Sequence, residues 1–201
     1  QYLQMHIHRE PLYPLFLWVL RLCTPEHYLI LMGILQNLFM AVSIWLLTGS
    51  IARKFSLSAG WQLLLVLLQV FPHLMTKYFS VMSVFITNSV MSEALTFPLF
   101  TLWVMNALEL LWEGKRKNAV GMLLLSILLS LTRSQMMVTV LIFFLVELFR
   151  IIFVCHKKRI LVSAVGLVLV LAAAFGIRIL TVRCYNLAVH GRFINNTYGN
   201  V

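Results

Sequence analysis

The sequence predicts an all-α fold: a polytopic transmembrane bundle of about six spanning helices, with shorter helices lying in the outer interface. Three observations predict it. Hydrophobic residues make up 61% of the chain and charged residues only 11%, whereas soluble domains carry about 25% charge. Six long apolar runs follow one another along the 201 residues. Clustered basic charge fills every second gap between them, as expected of loops on the cytoplasmic side.

The runs read Tyr28–Gly49, Ala59–Met75, Glu93–Trp112, Asn118–Thr132, Gln135–Cys155 and Ile160–Thr181. A helix needs about 20 apolar residues to cross the hydrocarbon, with about 17 as the lower limit. The second and fourth runs are therefore short and are expected to tilt or kink. Pro72 and Pro98 are expected to mark kinks or boundaries, and Pro98 stands near the start of its span, where a proline costs least. Small residues at Ala164, Gly166, Ala172–Ala174 and Gly176 are expected to let the last span pack closely on a neighbour.

Basic residues set the orientation. Arg53 and Lys54 follow the first span, Lys115, Arg116 and Lys117 the third, and Arg150, Lys157, Lys158 and Arg159 surround the fifth gap. Arg9, Arg21, Lys77, Arg133, Arg178, Arg183 and Arg192 are isolated and fall at or near the opposite side. The chain therefore reads as one transmembrane domain over 1–201 of a multi-pass protein in the cytoplasmic (plasma) membrane. An outer loop and interfacial helix occupy 1–27, the spans 28–181 and an outer tail 182–201. The net charge of +10 is assigned to orientation and to contact with anionic lipids, not to nucleic acid. Cys23, Cys155 and Cys184 lack paired or metal-ligand spacing. The chain starts at Gln1 and reads as an internal piece of a longer protein.

On the outer side, Leu12–Cys23 is apolar but too short to cross, and Trp18 and Tyr13 suit the headgroup level. Lys77–Met91 looks like a second interfacial segment, and Arg133-Ser134 makes a tight hairpin between the fourth and fifth spans. Glu93 opens the third span after Ser92, so it either marks a polar cavity at the hydrocarbon edge or caps the helix with favourable negative charge. Arg133 suits a phosphate or carboxylate through paired hydrogen bonds, or snorkels to headgroups. His6, His8 and Glu10 form a weak metal-ligand pattern; a solvated loop is the stronger reading. His73 reads as a structural histidine. Gln36, Asn37, Gln62, Gln69, Asn106, Glu109 and Glu147 are polar groups within the spans, expected to pair between helices. The chain has no Asp, no phosphate-binding glycine loop and no voltage-sensor arginine repeat.

The order of elements adds a resemblance. Arg9-Glu10-Pro11-Leu12-Tyr13-Pro14 leads into the interfacial helix, Met91-Ser92-Glu93-Ala94-Leu95 opens a span, and a short span ends in Leu131-Thr132-Arg133-Ser134-Gln135. Over most of its length the chain resembles the membrane domain of C-type glycosyltransferases, the group that includes protein O-mannosyltransferases and the aminoarabinose transferase acting on lipid A. The resemblance implies transfer of a sugar from a polyprenyl-phosphate donor to an acceptor at the extracytoplasmic surface. In that reading Glu93 and Arg133 are catalytic: Arg133 meets the donor phosphate, and Glu93 orients the acceptor or holds a divalent metal. Arg9 and Tyr13 then lie by the first-loop site, and together with Glu10 and Lys77 they are the substrate-binding candidates. Two departures stand against the family pattern. The usual first-loop aspartate is missing, and no soluble acceptor-binding domain follows the spans, so this piece alone is expected to be inactive. Rivals are a lipid flippase or polysaccharide polymerase, sharing the lipid and an outer arginine cavity, and a non-catalytic membrane scaffold.

Overall fold

The computed structural model describes residues 10–79, 85–154 and 160–195. Seven α-helices follow in order: α1 Leu12–Cys23, α2 Tyr28–Phe55, α3 Ala59–Phe79, α4 Glu93–Glu113, α5 Arg116–Thr132, α6 Val138–Val154 and α7 Ile160–His190. Short 3-10 turns at Ile86–Asn88 and Ser134–Met137 precede α4 and α6. Among the described residues there is no strand. The protein is an all-α, membrane-embedded bundle. Five stretches, in α2, α3, α4, α6 and α7, are long and apolar enough to cross a bilayer. The sixth expected span is α5, whose 17 residues reach about 25 Å at 1.5 Å per residue. It lies antiparallel between α4 and α6.

Helix ends depart from the sequence boundaries for local reasons. The first span continues past Gly49 to Phe55, so Arg53 and Lys54 occupy its last turn, where cations complement the helix dipole. Ser56 then takes a left-handed conformation, φ 50°. Gly114 does the same after α4, φ 65°, donating its N–H to Leu110 O, a helix stop that favours glycine. Lys77, expected to open an interfacial segment, instead lies in the last turn of α3. The last helix runs to His190 rather than ending at Thr181, so the first half of the expected outer tail is helical.

The core is the α4–α5 hairpin with α6 and α7 against it. Leu99, Trp103, Leu110, Met122, Leu129, Phe143, Ile151 and Leu167 are buried together. Trp103 donates Nε1–H to Ser126 Oγ at 2.7 Å, and that hydroxyl also lies 3.3 Å from Thr139 O of α6. A polar seam thus registers three helices in a region where no water can substitute. Of the small residues of α7, Ala174 is buried, but the glycines do not make the expected close approach. A Cβ added at Gly166 or Gly176 would meet nothing within 4 Å, whereas one at Gly121 of α5 would fall 2.4 Å from Asn106 Oδ1 of α4. The close approach belongs to α4–α5.

Helix α1 packs as an amphipathic strap. Tyr13, Leu17 and Leu20, one turn apart, are buried with Met32 of α2, while Trp18, Val19 and Leu22 on its other face are exposed. Its 12 residues, about 18 Å, lie against α2 and α5. Gly121→Val should push Asn106 aside and lower stability in detergent by about 1–3 kcal/mol, whereas Gly166→Val should cost under about 0.5 kcal/mol. Equal losses in reversible unfolding of the two variants would contradict this assignment of the tight contact.

Candidate functional site

The hairpin fixes which polar groups meet at its open end. α4 begins with Glu93, and α5 ends at Thr132, so an antiparallel pair brings residue 93 beside residue 133. Arg133 is the residue after α5, extended at φ −150° and ψ 133°, with its N–H still donating to Leu129 O at 3.2 Å. Its Nη1 reaches Glu93 Oε1 at 2.5 Å, with the two side chains 34% and 28% exposed. One turn inward, Thr96 Oγ1 donates to Thr132 Oγ1 at 3.1 Å. Ser92 Oγ lies 3.3 Å from Glu93 Oε2, but the Ser92 side chain makes no capping bond to the helix. Glu93 therefore fills the second of its expected roles, negative charge at a helix N-terminus, where it is favourable, and it also pairs with the residue that follows α5.

A second ion pair lies on the same turn of α5. Arg178 of α7 donates Nη2–H to Glu10 Oε1 at 2.8 Å and directs Nε toward Ser130 O at 3.4 Å. Ser130 O is one of the carbonyls a helix end leaves without an intrahelical partner. Arg178 thus meets the carbonyl end of α5 through its guanidinium and Arg133 through its backbone N–H, and each guanidinium has its own carboxylate. The pairs differ in environment. Glu10 and Arg178 are only 18% and 19% exposed. Burial pushes the Glu10 carboxyl above its ordinary value, and the Arg178 charge pulls it back only in part.

The strap is pinned beside this end. Gln36 Nε2 of α2 donates to the Tyr13 hydroxyl at 3.1 Å, and that hydroxyl lies 3.4 Å from Ser89 O. Thr87 Oγ1 donates to Asn37 Oδ1 at 2.8 Å, and Asn37 Nδ2 donates to Asn88 Oδ1 at 2.7 Å. The connection before α4 is therefore tied to both α1 and α2. At the other end of the bundle, Ser50 donates to Glu109 Oε1 at 2.8 Å. Phe55 meets Trp112 edge-on at 5.4 Å, with Lys54 over the same indole. Both ends carry acid–base pairs: Glu113–Lys115 and Glu147–Arg150 lie at the end with the basic clusters, and Glu93–Arg133 and Glu10–Arg178 at the other.

Of the sequence candidates, Glu93 and Arg133 come together, and Glu10 joins Arg178. Tyr13 is wholly buried, and Lys77 lies over the Phe85 ring at 4.4 Å. Arg9, His6 and His8 lie outside the described residues. Among the described residues no three His, Cys, Asp or Glu side chains converge as a metal set. Cys23 and Cys184 are free and exposed. Comparison with protein-family models, with curated proteins and with solved structures gives no match.

Sequence reasoning missed Arg178 as a partner of Glu10. The available signal was a lone arginine inside a long apolar run, costly in hydrocarbon unless paired. Removing it leaves a buried carboxylate uncompensated. Arg178→Met should cost about 2 kcal/mol, less than the ~3–5 kcal/mol of a fully buried pair because a fifth of each side chain is exposed. Glu10→Gln should cost less. The sign with pH follows from the raised Glu10 value. The folded state holds the proton more tightly than the unfolded chain, whose carboxyl titrates near ~4.3. The group's contribution is complete below that pH and is lost as pH rises through the higher folded value. Arg178→Met should widen that window upward in unfolding curves taken from pH 4 to 8; a parallel shift at every pH would contradict it.

Proposed function

We propose that the protein is the membrane part of a glycosyltransferase that moves a sugar from a polyprenyl-phosphate donor to an acceptor at the extracytoplasmic face. The observation that carries the reading is the Glu93–Arg133 pair. It stands at the bundle end opposite Arg53, Lys54, Lys115 and Arg116, and it keeps about a third of each side chain exposed. In membranes the positive-inside rule puts those basic clusters in the cytoplasm and the pair outside. The resemblance of Met91-Ser92-Glu93-Ala94-Leu95 and Leu131-Thr132-Arg133-Ser134-Gln135 to transferase segments supports the same assignment.

The chemistry follows from charge exchange. Before substrate arrives, the Glu93 carboxylate occupies the guanidinium. A donor phosphate offers the same paired geometry with more negative charge, so it replaces the carboxylate on Arg133. Glu93 is then released at the helix N-terminus, beside the anomeric carbon, to orient the acceptor. As the glycosidic bond to the phosphate breaks, Arg133 stabilises the charge that accumulates on the departing lipid phosphate, a contribution commonly worth 10²–10³ in rate. The acceptor oxygen bonds to the anomeric carbon with inversion as the phosphate leaves, and its proton passes to a general base, the role that the resemblance gives to a first-loop carboxylate. The anionic lipids of the bilayer meet the remaining basic residues.

The test uses the full-length protein in membranes with a radiolabelled polyprenyl-phosphate sugar. Arg133→Ala and Glu93→Ala should each abolish release of the sugar. The charge-exchanged protein, Glu93→Arg with Arg133→Glu, keeps the pair but sets each charge against its helix dipole. It should insert, unfold at somewhat lower stability than the native one and stay inactive, because the cation is moved from residue 133 to residue 93. Activity restored by the exchange would reduce the pair to a structural clip. Undiminished release in Arg133→Ala would end the transferase assignment of that residue.

A further inference from the structure

A groove of about 590 Å³ lies between α2 and α3, away from the Glu93–Arg133 pair. Its α2 wall is one helix face: Asn37, Met40, Ala41, Ile44, Trp45, Thr48 and Gly49 recur at three- and four-residue steps. Its α3 wall carries Val66, Val70 and His73 at the same steps. From residue 37 to residue 49 the wall runs about 18 Å, and the volume falls in the ~300–1000 Å³ range of ligand sites. Trp45, Leu67 and Leu68 beside it are more than half exposed. In a membrane-embedded bundle such faces meet acyl chains, so an occupant enters from the bilayer and brings an apolar body.

The polar end of the groove specifies the head of that occupant. Asn37, Thr87 and Asn88 satisfy one another. His73 does not. It is 6% exposed, and neither ring nitrogen has a hydrogen-bond partner. The ring is held against Phe97 of α4 at 5.5 Å and 61°. Gln69 donates to Thr48 at 2.9 Å, while its own Oε1 is buried without a donor. A neutral imidazole needs one acceptor and one donor, and leaving both unmet in hydrocarbon is costly. A hydroxyl supplies either. No Lys or Arg lines the groove. Lys77, one turn along α3, is engaged over the ring of Phe85, which does line it, so the unpartnered imidazole is the group left to meet the head.

We infer that the α2–α3 groove binds a single-chain membrane lipid with an uncharged hydroxyl head, its chain along α2 and its hydroxyl on His73. The inference does not rest on the transferase reading. It is tested with the full-length protein in nanodiscs and a long-chain alcohol carrying a photoactivatable diazirine, with adducts mapped by mass spectrometry. Adducts should concentrate on α2 and α3. An unlabelled alcohol should compete roughly tenfold better than its alkyl phosphate, about the weight of one buried hydrogen bond. Ala41→Trp, at an exposed position facing the groove, should remove the adducts. His73→Phe, which keeps the ring on Phe97, should weaken them roughly tenfold. Adducts spread evenly over all lipid-facing helices and indifferent to Ala41→Trp would overturn the proposal as simple partition. Equal competition by the alkyl phosphate would overturn it in favour of an anion site. A cross-link between α2 of one copy and a second protein chain would overturn it in favour of a helix seated in the groove.

Discussion

The last turn of α5 is the point on which the site end of this bundle depends. A helix that stops inside or at the edge of hydrocarbon leaves its final carbonyls unpaired and a negative dipole end exposed to low dielectric. Here Arg133 and Arg178 come to that turn from two sides, one as the residue following the helix and one from α7. Each guanidinium is neutralised by a carboxylate from a different element, Glu93 of α4 and Glu10 before α1. Four elements are thereby joined through one helix end. The α4–α5 contact at Gly121 and the Trp103–Ser126 hydrogen bond hold the hairpin in the register that makes the first of these pairs geometrically possible.

The same requirement, that polar groups in a bilayer find partners within the protein, explains how the strap and the connection before α4 are ordered. Tyr13 is buried, yet its hydroxyl is met by Gln36 and lies near Ser89 O. Asn37, Thr87 and Asn88 close on one another. Other buried polar atoms also lack partners, Gln36 Oε1 and Gln69 Oε1 among them, but among the described residues His73 is the ring with both nitrogens unmet, and it lines the groove. Its helix α3 packs on little besides α2 and the turn at Ile86–Asn88, which leaves the groove between α2 and α3.

Helix existence was legible because it follows from apolar length. The basic clusters in alternate gaps were legible as a pattern, and the helix order places them at one end of the bundle. Glu93 and Arg133 each stood out as charges at span ends, but their contact depends on α4 and α5 ending at one level, which no local pattern encodes. Helix ends were less legible: Arg53 and Lys54 looked like loop residues, and they extend α2 because they suit its dipole. The glycines of α7 resembled a packing stripe, but small residues permit approach without compelling it, and the closest approach is at a single Gly121. Glu10 with Arg178, separated by 168 positions, was beyond any local signal.

The two arginines at the α5 end are not equivalent, and the difference follows from their carboxylates. Glu10 is deeply placed, its carboxyl is raised by burial, and its Oε2 has no donor. Arg178 is also occupied by Ser130 O. Taking Arg178 away would leave Glu10 as an uncompensated charge, so an incoming anion could claim that guanidinium only at high cost. Glu93 is more exposed, has Ser92 beside it and sits at a helix N-terminus, so it is stabilised even when it lets go of Arg133. Exchange of one anion for another is therefore cheap at Arg133 and expensive at Arg178. One guanidinium is the more readily released from its carboxylate, and the other keeps α7 and the strap in place.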